Sequence, residues 1–202
     1  MRSPITAFKG EYLARIGHNQ GPPLDAGQSW RAFAWKKARK KLVPRLPLEI
    51  VRRRVARAKE LGLEYPQYAS ILLGTGRDIV GFLFTCDALG LRLGRGVEMP
   101  ENVQKKLSAL GGCERILMTD KDPLRLHRMF DGASQIRFGH ISATPARDCT
   151  WTEGKAAVQA ALSPLKLPGD AVVMIGTRTQ ERTWADAARL AKFFPAERYF
   201  IE

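Results

Sequence analysis

The chain has 202 residues, of which 45% are hydrophobic, so it can form one large domain or two small ones. It carries 33 Lys and Arg against 20 Asp and Glu, which gives a formal net charge of +13. This excess makes a polyanion the expected partner, nucleic acid first and an anionic membrane surface second, with a merely basic protein as the alternative.

The cysteines argue against two classes of small domain. Cys86, Cys113 and Cys149 are odd in number and widely spaced, and they form no Cys-x-x-Cys motif. This disfavours a disulfide framework and a structural zinc site, and we predict no metal site and no cofactor. The first residues contain no apolar run typical of a signal peptide, so the expected compartment is the cytoplasm.

The first segment, residues 1–28, is predicted to be an arm or linker. Its run from Gly17 to Pro23 is rich in turn-forming residues and offers little to bury. A flexible or loosely laid segment is favoured over an ordered clamp against the domain surface.

Residues 29–112 are predicted to form a basic helical domain. One helix is expected from Ser29 to Leu42 and a second from Pro47 to Leu61. Between Arg31 and Glu60 twelve residues are basic and two are acidic, and such concentration favours a docking surface over an evenly basic coat. The side chains predicted to contact nucleic acid are Lys36, Lys37, Arg39, Lys40, Lys41, Arg52, Arg53, Arg54, Arg57 and Arg77.

The most apolar stretch of the chain follows a short predicted helix, Glu64 to Leu73. From Ile79 to Leu91 the apolar residues surround a helical wheel, and Thr75 with Asp78 three residues later matches a helix-capping pattern. We therefore predict a helix buried on nearly all sides, around which the other elements pack. The two helices and their glycine-containing turn give a helix-turn-helix outline, in which the Arg-rich helix is the better candidate to contact a duplex.

The end of the basic domain is placed near Gly112. Gly90, Gly94 and Gly96 predict a flexible connection or a short hairpin, and Glu101 to Leu110 predicts another helix.

Residues 113–202 alternate between strand and helix patterns and predict a small α/β domain. Helices are expected at Pro123–Phe130, Thr152–Leu162 and Arg182–Phe194, and strands at Arg115–Thr119, Gln135–Ile141, Ala171–Ile175 and Arg198–Ile201. The predicted fold class is α+β or α/β, with a helical basic N-terminal half packed on a small, mainly parallel sheet.

Polar residues follow two of these strands, at the sheet edge where function gathers in parallel sheets. The first set runs from Thr119 to Asp122 and the second from Gly176 to Glu181. Thr177, Arg178 and Thr179 are candidates for binding an anion at a helix N-terminus. The alternative is that these acids and threonines only cap the helices that follow.

An apolar strand ending in Asp-x-Asp, with a later strand ending in Gly-Thr-x-x-x-Glu, resembles haloacid-dehalogenase-type phosphatases over less than half of the chain. The resemblance implies an Asp nucleophile, an Asp acid/base and a later acid that holds magnesium. By that resemblance Asp120 would attack, Asp122 would act as acid/base and Glu181 would help to hold Mg²⁺. Gly176-Thr177 departs from the usual Gly-Asp of the family.

Three functions follow from these patterns, and the first is favoured. It is a nucleic-acid-binding regulatory protein whose α/β half serves dimerisation or ligand sensing, with DNA preferred because no aromatic RNA-binding strand signature is present. The second is a magnesium-dependent phosphoryl-transfer or nucleic-acid-processing enzyme. The third is a basic scaffold that binds an acidic protein. A homodimer is left open, and no membrane partner is expected.

Overall fold

The computed structural model describes Lys37 and residues 46–94, 96–133, 136–146 and 148–200. Two predicted segments lie outside this part, namely the arm and the helix from Ser29 to Leu42 apart from Lys37. Four predicted contact residues also lie outside it: Lys36, Arg39, Lys40 and Lys41. Lys37 is helical and exposed. The described residues from Leu48 to Phe200 belong to one compact unit.

The described elements alternate between helices and strands. In chain order they are α1 (Leu48–Glu60), α2 (Tyr65–Thr75), β1 (Gly81–Thr85), β2 (Arg92–Leu93), β3 (Val97–Glu98), α3 (Glu101–Ala109), β4 (Glu114–Thr119), α4 (Pro123–Ala133), β5 (His140–Ala143), α5 (Trp151–Leu162), β6 (Val172–Gly176), α6 (Thr179–Ala187), β7 (Lys192–Pro195) and α7 (Ala196–Phe200). Five of the strands form one sheet in the order β5-β4-β1-β6-β7, with every pair parallel. The α/β prediction is confirmed.

Helices cover both faces of this sheet. Apolar residues of α1, α2, α3, α4 and α7 pack against one face, and those of α5 and α6 pack against the other. Side chains alternate between the faces along β1, so that Phe82 and Phe84 join the first cluster and Leu83 joins the second. The unit is therefore a three-layer α/β/α sandwich.

The predicted buried helix from Ile79 to Leu91 is wrong, because its first half is the central strand β1. Gly81 to Thr85 are all buried, and Leu83 lies between Ile116 of β4 and Met174 of β6. A strand covered on both faces is apolar at every position, so its composition resembles that of a fully buried helix. Thr75 ends α2 instead of capping a new helix, since Gly76 follows in the left-handed conformation with φ 72°.

The central strand also bears on the predicted domain boundary. β1 lies on the N-terminal side of Gly112 and pairs with β4 and β6 on the C-terminal side. Both predicted domains therefore contribute strands to a single sheet. Because β1 follows α2, the predicted helix-turn-helix outline is a helix-turn-strand.

Most other predicted elements are present with shifted ends. The structure confirms the helices predicted near α1, α2, α3, α4 and α5, the strands predicted near β4 and β6, and a short β2–β3 hairpin. The helix predicted from Thr152 begins at Trp151, and its N-cap is Thr150, whose hydroxyl accepts a hydrogen bond from the Glu153 N–H. The strand expected at Gln135–Ile141 is β5, His140–Ala143.

Two C-terminal predictions are wrong. The helix expected at Arg182–Phe194 starts earlier and ends at Ala187, and the last part of that range belongs to the edge strand β7. Arg189, with φ 56°, reverses the chain before β7 pairs with β6. The strand expected at Arg198–Ile201 is the helix α7, whose Tyr199 and Phe200 are buried against the sheet. In the described residues, no helix combines the length and the apolar character that crossing a membrane requires.

Candidate functional site

The strand order places a crevice at one edge of the sheet. From β1 the chain moves outward to β4 and β5 on one side, then returns to β6 and β7 on the other. The connections that leave β1 and β6 therefore run in opposite directions. In open parallel sheets, ligands bind outside the carboxyl ends of strands at such a switch point.

A pocket of about 270 Å³ lies at this switch point. Its polar lining comes from the segments after β1, β4, β5 and β6, namely Thr85, Cys86, Asp87, Asp120, Thr144, Arg178 and Glu181. Three of these side chains are formally negative and one is positive. The volume suits a small polar ligand rather than a polymer.

Residues at the end of β1 line the pocket. The buried Thr85 hydroxyl accepts a hydrogen bond from the Ala88 N–H at 3.3 Å. Burial raises the pKa of the Cys86 thiol to about 11, so this thiol is protonated at neutral pH and is a poor nucleophile. Asp87 forms an ion pair with Arg178, and both side chains stay partly exposed.

Glu181 closes the turn between β6 and α6. Only 3% of this residue is exposed, and its Oε2 accepts hydrogen bonds from the N–H groups of Thr177 at 2.6 Å and Arg178 at 2.9 Å. The predicted anion site at Thr177, Arg178 and Thr179 therefore has two of its backbone donors already bound to an internal carboxylate. Gly176 is needed here because a Cβ at that position would collide with Glu181 and Phe193.

The structure separates the three predicted catalytic acids. Asp120 and Glu181 both line the pocket, and Asp120 also pairs with Lys121 at 3.1 Å. The Asp122 carboxylate instead caps α4, where it accepts a hydrogen bond from the Leu124 N–H at 3.0 Å. Asp122 therefore has the capping role that was the alternative to catalysis.

Sequence reasoning missed Thr85 and Asp87 as pocket residues. The predicted helix across residues 79–91 placed both side chains in mid-helix, whereas they stand at the end of the central strand. The signal that could have found them is the short apolar run from Gly81 to Phe84, which is followed at once by polar residues, as at the ends of β4 and β6.

The basic residues of α1 fall into two groups. Arg52, Arg53 and Lys59 are exposed on the outer side of the helix, and Arg52 pairs with Glu49 at 2.9 Å. Arg54 is half-buried beside the inner side. The outer group is the part of the predicted contact surface that α1 presents to solvent.

Arg57 belongs to the second group and has a structural role. Its Nε donates to Asp78 at 2.9 Å, and its two terminal nitrogens donate to Glu60 and to three main-chain carbonyls, those of Ile79, Gly111 and Gly112. The guanidinium thus ties α1 to the turns that precede β1 and β4.

Two neighbouring groups are also engaged within the fold. The Tyr68 hydroxyl donates to Asp78 at 2.9 Å, and burial together with this bond raises the pKa of Tyr68 to about 12. Arg77, another predicted contact residue, pairs with Asp170 at 3.1 Å on the surface. Arg57, on the basic helix α1, and Arg77, in the turn after α2, therefore both have carboxylate partners within the fold.

Metal chemistry has no evident centre in the part of the chain that the structure describes. No group of three or more His, Cys, Asp or Glu side chains is placed there to hold a metal ion. The pocket acids are spread over three strand ends, and Glu181 is occupied by two backbone donors. No protein-family model matches the chain, and no curated protein matches it.

Proposed function

We propose that the chain is a nucleic-acid-binding regulatory protein that docks on DNA through its basic helical surface and takes a small ligand in the switch-point pocket. The observation that supports it most is the outer side of α1, where Arg52, Arg53 and Lys59 are exposed next to a further run of basic residues in the sequence. Lys and Arg clustered in this way release counterions when they contact phosphates.

The charges of the two surfaces favour α1, rather than the pocket, as the place where a polyanion binds. The pocket lining carries Asp87, Asp120 and Glu181 against the single cation Arg178. A nucleic acid is repelled by such a lining, and it is too large for about 270 Å³. The two parts of the proposal therefore concern different surfaces, and a ligand in the pocket would leave the basic helix free to bind DNA.

Removing the exposed charges of α1 is expected to weaken DNA binding strongly. A variant carrying Arg52→Gln, Arg53→Gln and Lys59→Gln should bind a short duplex roughly a hundredfold less tightly at about 0.15 M salt if all three groups contact phosphates. Fluorescence anisotropy with a labelled duplex measures the change.

The matched control removes the same charge elsewhere. The residues chosen are Arg125, Arg128 and Arg137, which are exposed near α4 and β5. Strand β5 is the edge of the sheet opposite to β7. Their triple Gln variant should bind nearly as well as the wild type. Equal losses in the two variants would mean that net charge alone acts, and the proposal of a docking surface on α1 would be rejected.

An enzymatic function is the second candidate, and one observation favours it. Asp120 and Glu181, two of the three acids that the phosphatase resemblance implies, line one pocket together with Asp87. Asp122, however, which is the second acid of the Asp-x-Asp pattern, caps α4 and does not line this pocket. The residues do not form a metal-binding group, and we assign no step to Mg²⁺.

This candidate predicts measurable turnover of a generic phosphate ester in the presence of Mg²⁺. Asp120→Asn should then lower kcat by about 10²-fold or more, because an amide cannot replace the carboxylate that the resemblance implies as nucleophile. Asp122→Asn is the control, because that carboxylate caps α4 outside the pocket. Absence of turnover, or equal activity in Asp120→Asn and the wild type, would remove the candidate.

A further inference from the structure

A second basic surface lies along the edge strand of the sheet. A groove of about 490 Å³ is lined by all four residues of β7 and by side chains from three helices around it. Gln67 and Ser70 come from α2, Arg182 comes from α6, and Glu197 and Arg198 come from α7. No part of this groove belongs to the switch-point pocket.

The groove carries a net positive charge. Arg182, Lys192 and Arg198 are exposed cations, and Glu197 is the acid in the lining. Within the described residues, none of these three cations forms an ion pair. This contrasts with Arg52, Arg57 and Arg77, which do. The groove cations are therefore better able to bind a phosphate than these three predicted contact residues.

Aromatic rings hold two of the cations in place. The Arg182 guanidinium lies over the Phe193 ring, 5.4 Å from its centroid, and the Lys192 ammonium lies 5.9 Å from the centroid of Phe194. A cation held over a ring keeps its charged end in solvent and loses less side-chain entropy when it binds. Two of the three groove cations are therefore restrained beside the aromatic rings of β7.

The groove and the basic helix are joined through α2. One side of α2 packs against α1, and residues of α2 line the groove. A duplex is long compared with either surface, so one backbone can reach both. Charge complementarity therefore favours a phosphodiester backbone as the occupant of the groove.

We propose that the β7 groove is a second phosphate-binding surface, which takes the sugar-phosphate backbone of the same nucleic acid through Arg182, Lys192 and Arg198. This inference rests on the proposed nucleic-acid-binding function and extends it to a part of the chain that the basic N-terminal run does not include. An acidic peptide is the competing occupant and is an outcome of the test.

The test compares salt dependence in three proteins: the wild type, a groove variant with Arg182→Gln, Lys192→Gln and Arg198→Gln, and the Arg125, Arg128 and Arg137 control. The affinity of each protein for a labelled short duplex is measured between about 50 and 300 mM salt. The groove variant should give a slope of log K against log salt that is shallower by about 2 to 3, since each lost contact accounts for about 0.9. The control should keep the wild-type slope.

The outcomes separate the two proposals. If the wild type binds and the groove variant keeps its slope, the groove proposal is overturned while the basic helix stands. If the wild type does not bind, the proposed function fails and the groove proposal fails with it. If the groove variant loses binding of a poly-glutamate peptide but not of DNA, the occupant is an acidic peptide and our assignment is wrong. Thermal unfolding of each variant checks that the fold is intact.

Discussion

Replacing Arg57 with alanine is expected to lower the free energy of unfolding by about 2 kcal/mol, because it leaves partly buried main-chain carbonyls without a donor. Only 19% of the Arg57 side chain is exposed, and its guanidinium donates five hydrogen bonds. Three of the acceptors are main-chain carbonyls in the turns before β1 and β4. Urea denaturation followed by circular dichroism measures the change.

The matched control is Arg53→Ala on the same helix. Arg53 is exposed, so its loss should change stability by no more than about 0.5 kcal/mol. Arg57→Lys should fall between the two, since an ammonium cannot reach the same set of acceptors as a planar guanidinium. A stability loss in Arg57→Ala no larger than that of the control would contradict the structural role and return Arg57 to the candidate phosphate contacts.

The second large effect is expected at Phe82. This side chain is fully buried in the central strand, with its ring centroid 5.9 Å from that of Phe84 and 5.5 Å from that of Tyr199. Phe82→Ala should therefore cost about 3 to 5 kcal/mol, the range observed when a large core side chain is truncated. Chemical denaturation gives the value directly.

Leu73 supplies the comparison for Phe82. It lies on α2, and 79% of it is exposed, so Leu73→Ala should be nearly neutral. Hydrogen exchange adds a second test, because the amides of residues 82 to 85 should exchange as slowly as those of β6 if β1 is central. Fast exchange in residues 82–85 would contradict the strand assignment.

The fold class could be predicted because apolar runs, helical periodicity and turn residues mark strands and helices within short segments of the sequence. The run from Val172 to Gly176 is short, apolar and bounded by turn residues, which favours a strand over a helix. The same reasoning failed at Phe82 to Thr85, because apolar residues continue after the strand at Ala88, Leu89 and Leu91. The apolar stretch therefore has the length of a helix, and burial of β1 on both faces leaves no alternation to identify the strand.

The candidate site was harder to predict because its residues meet only in three dimensions. Asp87 and Arg178 are distant in sequence and form an ion pair only because β1 and β6 are neighbours in the sheet. Arg57 illustrates the same limit for charge counting. It is one of twelve basic residues between Arg31 and Glu60, and nothing local shows that its partners are at Asp78, Gly111 and Gly112.

The measurement that tests the central claim most directly is the binding of the wild-type chain to duplex DNA across a salt series. Contacts from the basic helix and the groove predict a straight line of log K against log salt with a steep negative slope, about −0.9 for each phosphate contacted. A flat line, or no binding at about 50 mM salt, would contradict the claim that this chain's excess of positive charge serves to hold a nucleic acid.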